Sequence, residues 1–505
     1  MLILRDQKME IHMIILNLNP MSKIPLHQQV FTNIKEMIEN NMLKVGSKLP
    51  ASRVLAKSHG ISRTVVYRSY QELWSQGYLE SRPGSYSIVR KKTPNINLNQ
   101  RASKSLIDWN TAITEESKDV YDTVSKFPDS SSEFKFENFI DMSNLQLDPH
   151  IFPIEEFKRS LNTVILNNPG FFNYGAAKGY LPLRNYIASR LQTHGIWVTP
   201  EEVLITNGTQ SSIDLILRTL TKPGSKIISE SPTYFYALPL FHLYQTQVVP
   251  ISMDEDGLNI NELEQALKIE HPSFIYTVPN FHNPTGVTMN QEKRESILAL
   301  AEKHKIPILE DAFEEEMKYF GKVPLSIKSM DKNQVVIYLS SFSKVLFPGI
   351  RIGWIAANKS FIEKVTAIKN VIDLKSNSVI QAALYEFCKQ GYYDIHIRRM
   401  HHVYKKRMEV VLNTLKKEIT FRQVSWIEPI GGYLIWLKIT GLNITESKLH
   451  TIFVKHRVLT SPGSLYFSKK PESHFIRISI SELNEEDIIE GIKRLKSAFS
   501  EICSS

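Results

Sequence analysis

The chain has 505 residues, which exceeds one ordinary hydrophobic core and indicates two or three domains. It is 42% hydrophobic and 22% charged, a composition typical of a soluble globular protein, and its formal net charge is +9. The two cysteines, Cys388 and Cys503, lie far apart without a CxxC pair. This excludes a disulfide framework or a cysteine-rich zinc site, so no metal is expected and a reducing compartment is indicated.

The positive charge is concentrated near the N-terminus. Residues 21–92 contain 12 Lys/Arg and 4 Asp/Glu, which gives this segment a net charge of +8. The first twenty residues have a net charge of zero, and the rest of the chain has a net charge of only +1. A short basic module on a near-neutral body is typical of a nucleic-acid-binding head, although a solvated basic face would give the same charge. No stretch of about 18 apolar residues is present, and we expect a cytoplasmic protein without a membrane partner.

Residues 1–23 are expected to be an N-terminal extension, and residues 24–90 are predicted to form three helices and a hairpin. Apolar residues at helical spacing predict the first helix from Leu26 to Glu39. Ser52 and Ser62 are typical N-cap residues, so each is expected to begin a further helix, the last ending near Gln76. The side chains expected to face inward are Val30, Ile34, Met37, Ile38, Val54, Leu55, Ala56, Val66, Tyr70 and Leu73. Short strands on either side of Pro83-Gly84 are predicted to form a two-stranded wing.

The second and third helices flank a tight turn at Gly60-Ile61, which predicts a helix-turn-helix. The second helix of such a pair enters the major groove of DNA with its N-terminus leading. Arg63 and Thr64 occupy that end, where free backbone amides attract phosphate. Arg63 is suited either to a guanine edge or to a phosphate, and the sequence leaves both open.

The order of these segments resembles the winged helix of GntR-family regulators. The matching stretches are Pro25-Leu26, Leu49-Pro50-Ala51-Ser52-Arg53, Ile61-Ser62-Arg63-Thr64-Val65 and Arg82-Pro83-Gly84-Ser85. The resemblance implies that Arg53, Arg63, Thr64 and the wing near Gly84 contact operator DNA. The alternative is that both arginines are surface charges of a small helical domain.

Residues 91–138 are polar and weakly periodic, which predicts a linker that holds one short helix near Glu115–Val124. From residue 139 to 505, apolar strand-like runs alternate with longer helical patterns. The strands are predicted at Val203–Thr206, Lys226–Ser229, Ser273–Val278, Ile306–Glu310 and Val335–Leu339. This alternation predicts an α/β domain with a parallel-rich central sheet covered on both faces.

Five motifs follow one another in this second domain, and together they supply what pyridoxal 5'-phosphate needs. They are Asn207-Gly208-Thr209-Gln210, Asn280–Gly286, Glu310-Asp311, Ser341-Phe342-Ser343-Lys344 with Arg351 seven residues later, and Phe475–Ser479. Each motif alone is more often structural, but the five in sequence leave little room for chance.

Each group of the cofactor has a candidate partner. Lys344 is suited to a Schiff base with the aldehyde, and Asp311 to keeping the pyridine nitrogen protonated. Asn283 is a donor for the ring oxygen, Tyr234 an aromatic partner for the ring, and Arg477 a bidentate clamp for an amino-acid carboxylate. The residues suited to the phosphate are Gly208, Thr209, Gln210, Ser341, Ser343 and Arg351.

The order and spacing of these motifs resemble fold-type I aminotransferases over residues 139–500. The resemblance implies a smaller C-terminal α+β subdomain and a homodimer whose pocket lies between subunits. Tyr174 matches a residue that reaches the phosphate across the subunit boundary. The position two after Asp311 is usually tyrosine in that family and is Phe313 here, which removes a hydroxyl expected to bond the ring oxygen.

A winged helix joined through a linker to an aminotransferase-like domain is the arrangement of MocR regulators. That resemblance implies a bacterial transcription regulator that forms an external aldimine with an amine or amino-acid effector and changes its hold on DNA. One alternative is a genuine aminotransferase with an appended DNA-binding head, because all half-reaction groups are present. A second alternative, a body used only for dimerisation, is disfavoured by the joint presence of Lys344, Asp311, Asn283 and Arg351.

Overall fold

The computed structural model describes residues 14–81, 86–90, 106–125, 138–322 and 324–504. The chain divides into two compact units, residues 1–108 and residues 109–505. Among the described residues, no helix is long and apolar enough to cross a membrane.

The first unit contains three helices and a two-stranded hairpin. Its elements are α1 (Leu26–Glu39), α2 (Ser52–Ser58), α3 (Arg63–Ser75), β1 (Leu79–Ser81) and β2 (Ser87–Val89). The strands pair antiparallel with Leu79 opposite Val89, which confirms the predicted wing as a hairpin. The Ser62 side chain accepts a hydrogen bond from the Val65 amide, so it caps α3 as predicted, a contact worth about 1 kcal/mol.

The core of this unit differs from the prediction in three respects. Val54 is exposed, whereas the adjacent Leu55 and Ala56 are buried as expected, because a seven-residue helix on a small core buries only one narrow stripe. Ser52 begins α2 as its first helical residue and does not cap it. Ile14 and Leu16 are buried in the same core, so the described end of the expected extension packs onto the head.

The predicted helix within the linker is α5 (Glu115–Val124), which follows the short α4 (Trp109–Ala112). Thr114 caps α5 by accepting a hydrogen bond from the Ser117 amide. The helix packs against α9 (Ala237–Leu243), an element of the second unit. Hydrogen bonds join Asp119 to His242 at 3.0 Å and Glu116 to Gln245 at 2.6 Å, so this part of the linker is docked on the body.

An eight-stranded sheet forms the centre of the second unit. Its strands in chain order are β4 (Val203–Thr206), β5 (Lys226–Ser231), β6 (Gln247–Asp254), β7 (Gly257–Leu258), β8 (Phe274–Thr277), β9 (Ile308–Asp311), β10 (Val336–Ser341) and β11 (Gly353–Ala356), and in space they lie in the order β4-β11-β10-β9-β8-β5-β6-β7. Neighbouring strands from β10 to β6 are parallel, whereas β11 runs antiparallel to both of its neighbours. The predicted parallel-rich sheet is therefore confirmed.

Helices cover this sheet and bury its apolar runs on both faces. They are α6 (Ile154–Asn167), α7 (Leu181–Thr193), α8 (Thr209–Leu220), α9, α10 (Ile260–Glu270), α11 (Gln291–His304), α12 (Ile327–Met330), α13 (Lys359–Ile372), α14 (Ser378–Lys389) and α15 (Tyr392–Glu418).

The smaller subdomain is built on a second, antiparallel sheet in the order β12-β13-β16-β15. The elements of this subdomain are β3 (Ile140–Asp141), β12 (Val424–Trp426), β13 (Leu434–Ile439), α16 (Glu446–Lys455), β14 (Val458–Leu459), β15 (Ser461–Pro462), β16 (His474–Ser479) and α17 (Glu485–Ser504). The strands β14 and β3 form a separate two-stranded sheet. Arg477 lies on β16 between Trp436 of β13 and Ser461 of β15. The architecture is thus a large parallel-rich sheet with a smaller α+β subdomain, as predicted.

Candidate functional site

The candidate site lies at one edge of the large sheet, where five strands of the same direction end. Thr209 follows β4, Tyr234 follows β5, Asn283 follows β8, Asp311 ends β9 and Lys344 follows β10. In parallel sheets, ligands bind in the crevice beyond the carboxyl ends of the strands. These five positions, which are spread over about 140 residues of sequence, therefore lie at the same edge of the sheet.

A candidate anion-binding cradle lies at the N-terminus of α8. Gly208 has a φ of +98°, and any side chain there would meet the Arg351 guanidinium, since a Cβ would lie 2.8 Å from its Nη2. Arg351 itself donates from Nη2 to the Asn207 carbonyl at 2.9 Å. The buried hydroxyls of Thr209 and Ser343 have no hydrogen-bond partner among the described residues. Free hydroxyls, a helix N-terminus and a fixed cation together match a phosphate group.

The same cradle is completed by the end of β10. Gly353 lies between Ser341 on one side and Thr206 on the other, so the Ser341 and Thr209 segments are two strands apart at the same edge. The Ser341 hydroxyl accepts a hydrogen bond from the Ser343 amide at 3.4 Å. Both segments are therefore held in place by the backbone of the sheet.

The Asp311 carboxylate is 2% exposed, and only one of its oxygens is engaged by a side chain. Oδ2 accepts a hydrogen bond from the Tyr276 hydroxyl at 3.0 Å, whereas the buried Oδ1 has no partner among the described residues. Burial raises the pKa of Asp311 to about 7, and the Tyr276 hydroxyl opposes this shift. A buried carboxylate oxygen without a donor is costly, and a protonated ring nitrogen would relieve that cost.

Lys344 directs its amine into the crevice. Its Nζ donates to the Leu145 carbonyl at 2.6 Å, and its own carbonyl accepts from the Tyr433 hydroxyl at 2.6 Å. Loss of water around the ammonium lowers the pKa of Lys344, and the positive charges of Arg477 and Arg351 act in the same direction. A lowered pKa increases the fraction of free amine, which is the nucleophilic form.

Arg477 and Asn283 contact each other, although they are 194 residues apart. Arg477 donates from Nη1 to Asn283 Oδ1 at 3.1 Å and from Nη2 to the Ser143 carbonyl at 2.6 Å. Its Nε is buried and has no partner among the described residues, and its guanidinium stacks 5.3 Å from the Tyr466 ring. The guanidinium therefore keeps a free donor for a carboxylate.

Tyr234 and Gln210 lie on the side of the crevice formed by β5 and α8. Tyr234 is partly buried and makes an edge contact with the Tyr236 ring at 6.0 Å. Gln210 donates to the Tyr236 carbonyl at 2.8 Å, and its Oε1 is buried without a partner among the described residues. Burial raises the pKa of Tyr234, so its hydroxyl keeps its proton at neutral pH.

Tyr174 is not brought into this crevice by its own chain. It is 82% exposed and lies beside the start of α14, where the Ser378 hydroxyl donates to the neighbouring Asn173 carbonyl at 3.4 Å. Phe313 is partly buried and packs against the apolar cluster around β8 and β9.

Several residues of the crevice were not singled out by the sequence. Tyr276 lies in the middle of the apolar run of β8, and Glu314 is one of three consecutive glutamates, a pattern typical of exposed helices. Ser143 and Leu145 take part only through backbone carbonyls, which carry no side-chain signature. A tyrosine within a fully buried strand was the one available sequence signal, because its hydroxyl needs a buried partner.

The candidate DNA-binding surface belongs to the first unit. Arg53 on α2 and Arg63 and Thr64 at the start of α3 are all exposed. The apolar residues of α3 face the opposite side, with Val66, Tyr70 and Leu73 in the core. Gly84, the predicted contact at the wing tip, lies outside the described residues.

The first unit has three helices and a hairpin wing, and the second is an α/β unit of the aminotransferase type. Together they define a class of protein in which a DNA-binding unit is fused to a small-molecule-binding unit. The family model for gntR bacterial regulatory proteins matches residues 26–89, and the model for aminotransferase class I and II matches residues 141–495. The chain belongs to the GntR-family transcription regulators that carry an aminotransferase class I and II domain, the MocR type.

Individual proteins resemble both parts. The HTH-type transcriptional regulator YdfD of Bacillus subtilis is 31% identical over 488 residues, covering 96% of this chain and 98% of the relative. Aromatic-amino-acid aminotransferase 1 of Thermococcus litoralis is 34% identical over 360 residues, covering 70% of this chain and 86% of that enzyme. The crystal structure of the alpha-aminoadipate aminotransferase LysN from Thermus thermophilus, complexed with N-(5'-phosphopyridoxyl)-L-leucine, matches with a TM-score of 0.72 and 27% identity over 79% of this chain and 100% of that chain.

Proposed function

We propose that residues 139–505 bind pyridoxal 5'-phosphate and use it to sense a small amine or amino acid, which changes how residues 24–90 bind operator DNA. Residues 91–138 would join the two domains. Because such a regulator acts on the chromosome, we place it in the cytoplasm. Bound pyridoxal phosphate would supply an aldehyde that reacts reversibly with primary amines.

The observation that carries this proposal is a set of buried polar atoms without partners. Thr209 Oγ1, Ser343 Oγ, Asp311 Oδ1 and Arg477 Nε are all buried in the crevice. Unpaired buried polar groups are rare in folded proteins, since each costs about 1–3 kcal/mol. The hydroxyls match the phosphate, and the Asp311 carboxylate matches the ring nitrogen. The Arg477 guanidinium matches the carboxylate of an amino acid. The residues present therefore fit the cofactor.

Each predicted residue has a role in this proposal. Lys344 would hold the cofactor through its amine, Asp311 would pair with the ring nitrogen, and Asn283 would donate to the ring oxygen while it orients Arg477. Arg477 would bind the effector carboxylate. The phosphate would be held by Gly208, Thr209, Gln210, Ser341, Ser343 and Arg351, with Tyr234 against the ring.

We also propose that the protein is a homodimer. Tyr174 projects into solvent near the start of α14, and Val371 and Leu374, which precede that helix, are also exposed. Exposed apolar side chains close to a binding site are typical of subunit interfaces. A second copy covering them would bring Tyr174 to the partner's phosphate cradle.

The docking of α5 on α9 provides a physical route between the two functions. The segment Tyr234–Tyr236 immediately precedes α9, so a change at the ring-binding segment moves the helix on which α5 rests. An effector can change the position of α9 only if its affinity for the protein differs between the two positions of this helix. The resulting change in linker path would alter the spacing of the two heads of a dimer, and thus the half-sites they can span.

A titration with amines tests this function. The full-length protein would be mixed with DNA selected by the protein from a random pool, and then with each amino acid or omega-amino acid in turn. We expect at least one amine to change both the cofactor absorbance and the DNA affinity, while keto acid accumulates far more slowly than about 1 per second. Turnover at ordinary enzyme rates, roughly 1–1000 per second, with DNA binding indifferent to every amine, would instead establish the aminotransferase alternative.

The Phe313→Tyr variant tests whether the missing hydroxyl limits transamination by the second unit. Restoring the hydroxyl is expected to leave DNA affinity unchanged and to raise residual transamination about fivefold, since a hydrogen bond is worth about 1 kcal/mol. Keto-acid formation with each amino acid measures the effect. Phe313→Leu is the matched control, because it changes the ring without adding a hydroxyl. Equal rates in the two variants would show that the hydroxyl is not what limits turnover.

A further inference from the structure

Glu314 is a buried acid that the proposed function does not use. Its side chain is 1% exposed, no side chain of the described residues donates to either carboxylate oxygen, and only the Tyr433 backbone amide acts on it as a donor. The adjacent Glu315, by contrast, accepts a hydrogen bond from the Tyr338 hydroxyl. A buried carboxylate without a side-chain donor is retained only where a charge or a proton compensates it.

The loop that precedes β13 contacts both Glu314 and Lys344. Gly432 has a φ of +70°, and a Cβ on it would lie 2.7 Å from Glu314 Oε2, so the carboxylate rests against this glycine. The next residue, Tyr433, bonds the carbonyl of Lys344 through its hydroxyl at 2.6 Å. Two consecutive residues thus contact the acid and the lysine, and Gly432 is fixed by its amide, which donates to the Met317 carbonyl at 2.8 Å.

The charges around this pair are mixed. Burial raises the pKa of Glu314, whereas the Lys344 ammonium and then Arg477 lower it. For Lys344, loss of water lowers the pKa and the negative charge of Glu314 raises it. The ionisable groups that influence one or both members are Asp311, Arg351, Arg477, Tyr319, Tyr404 and Tyr433.

We propose that Glu314 is a positioning residue whose buried negative charge sets how readily the Lys344 ammonium releases its proton. The proposal rests on the proposed function, in which Lys344 is the lysine that holds the cofactor. As the carboxylate, Glu314 stabilises the ammonium of a free Lys344. When Lys344 acts as a nucleophile, its Nζ releases one proton to water and keeps its electron pair, and the negative charge of Glu314 opposes that release. The reverse transfer from the hydronium ion restores the ammonium, so proton and charge balance.

The reactivity of Lys344 in the full-length protein, before cofactor is added, tests the pair directly. The rate of its acylation by acetic anhydride would be followed between pH 5 and pH 10 by peptide mass spectrometry. In Glu314→Gln the ammonium loses its negative neighbour, so its pKa falls and more free amine is present at pH 7. Each unit of this fall raises the acylation rate at pH 7 by up to about 10-fold.

Two further variants make the result decisive. Glu314→Asp keeps the charge but withdraws it by one methylene group, and should shift the profile in the same direction by a smaller amount. Glu315→Gln removes a neighbouring carboxylate for which no influence on Lys344 is seen, and should leave the profile unchanged. The exposed Lys417 in the same digest serves as an internal reference.

A wild-type profile in both Glu314 variants would overturn the proposal. That result is distinct from a failure of the proposed function, which would show as an absence of cofactor attachment to the wild-type protein. A shift in both Glu314 variants with attachment intact supports both.

Discussion

Lys344→Ala is expected to abolish covalent cofactor attachment and the response of DNA binding to amines. The Lys344 amine donates to the Leu145 carbonyl, and loss of water lowers its pKa toward the range where a free amine is available. No other type of side chain can form the same link with an aldehyde. Borohydride reduction followed by peptide mapping measures the attachment, and a wild-type adduct on the Lys344 peptide is the reference.

Lys344→Arg provides the matched control, because it keeps the positive charge but removes the primary amine. We expect both variants to lose the adduct, whereas the arginine variant retains more of the electrostatic balance with Glu314. Bound cofactor stabilises the folded state by mass action, so the melting temperature of both variants should respond less to added cofactor than that of the wild type. A reducible lysine adduct that persists in Lys344→Ala would show that the cofactor lysine lies elsewhere.

Arg53→Ala and Arg63→Ala are each expected to weaken operator binding by roughly 1–3 kcal/mol if the lost contact is to a base. This corresponds to about 5- to 150-fold in Kd. If the contact is to phosphate, binding should weaken equally for all sequences and the salt dependence should become shallower. Measuring Kd at several salt concentrations on selected and unrelated DNA separates these two roles.

Fold stability and cofactor attachment should be unchanged in these head variants, because both arginines are exposed and lie outside the second unit. Lys417→Ala on α15 is the matched control, since it removes one exposed positive charge from the body. Equal losses for Lys417 and the two arginines would indicate a general charge effect. Unaltered DNA affinity in the Arg53→Ala/Arg63→Ala double variant would rule out this surface as the DNA contact.

Much of the fold follows from local patterns. The cap at Ser62, the helix at Glu115–Val124 and the strand at Val203–Thr206 were all predicted within a residue, because caps and apolar periodicity act over one or two turns. The order of motifs likewise indicated the crevice, since glycine-rich turns, an acid and a lysine at strand ends are read directly from sequence. The exposure of Val54 was not predicted, because helical spacing does not tell how wide a buried stripe is.

Contacts between distant segments were decided only by the tertiary structure. The carbonyls of Ser143 and Leu145 bond Arg477 and Lys344 across 334 and 199 residues, and backbone groups have no side-chain identity to reveal this. The position of Glu314 depends on a glycine more than 100 residues later that leaves room for its carboxylate. Sequence alone thus determined which chemical groups the chain carries and the local elements that hold them. The packing of the two sheets determined which of those groups are buried together, because burial and pairing depend on neighbours that only the folded chain brings into contact.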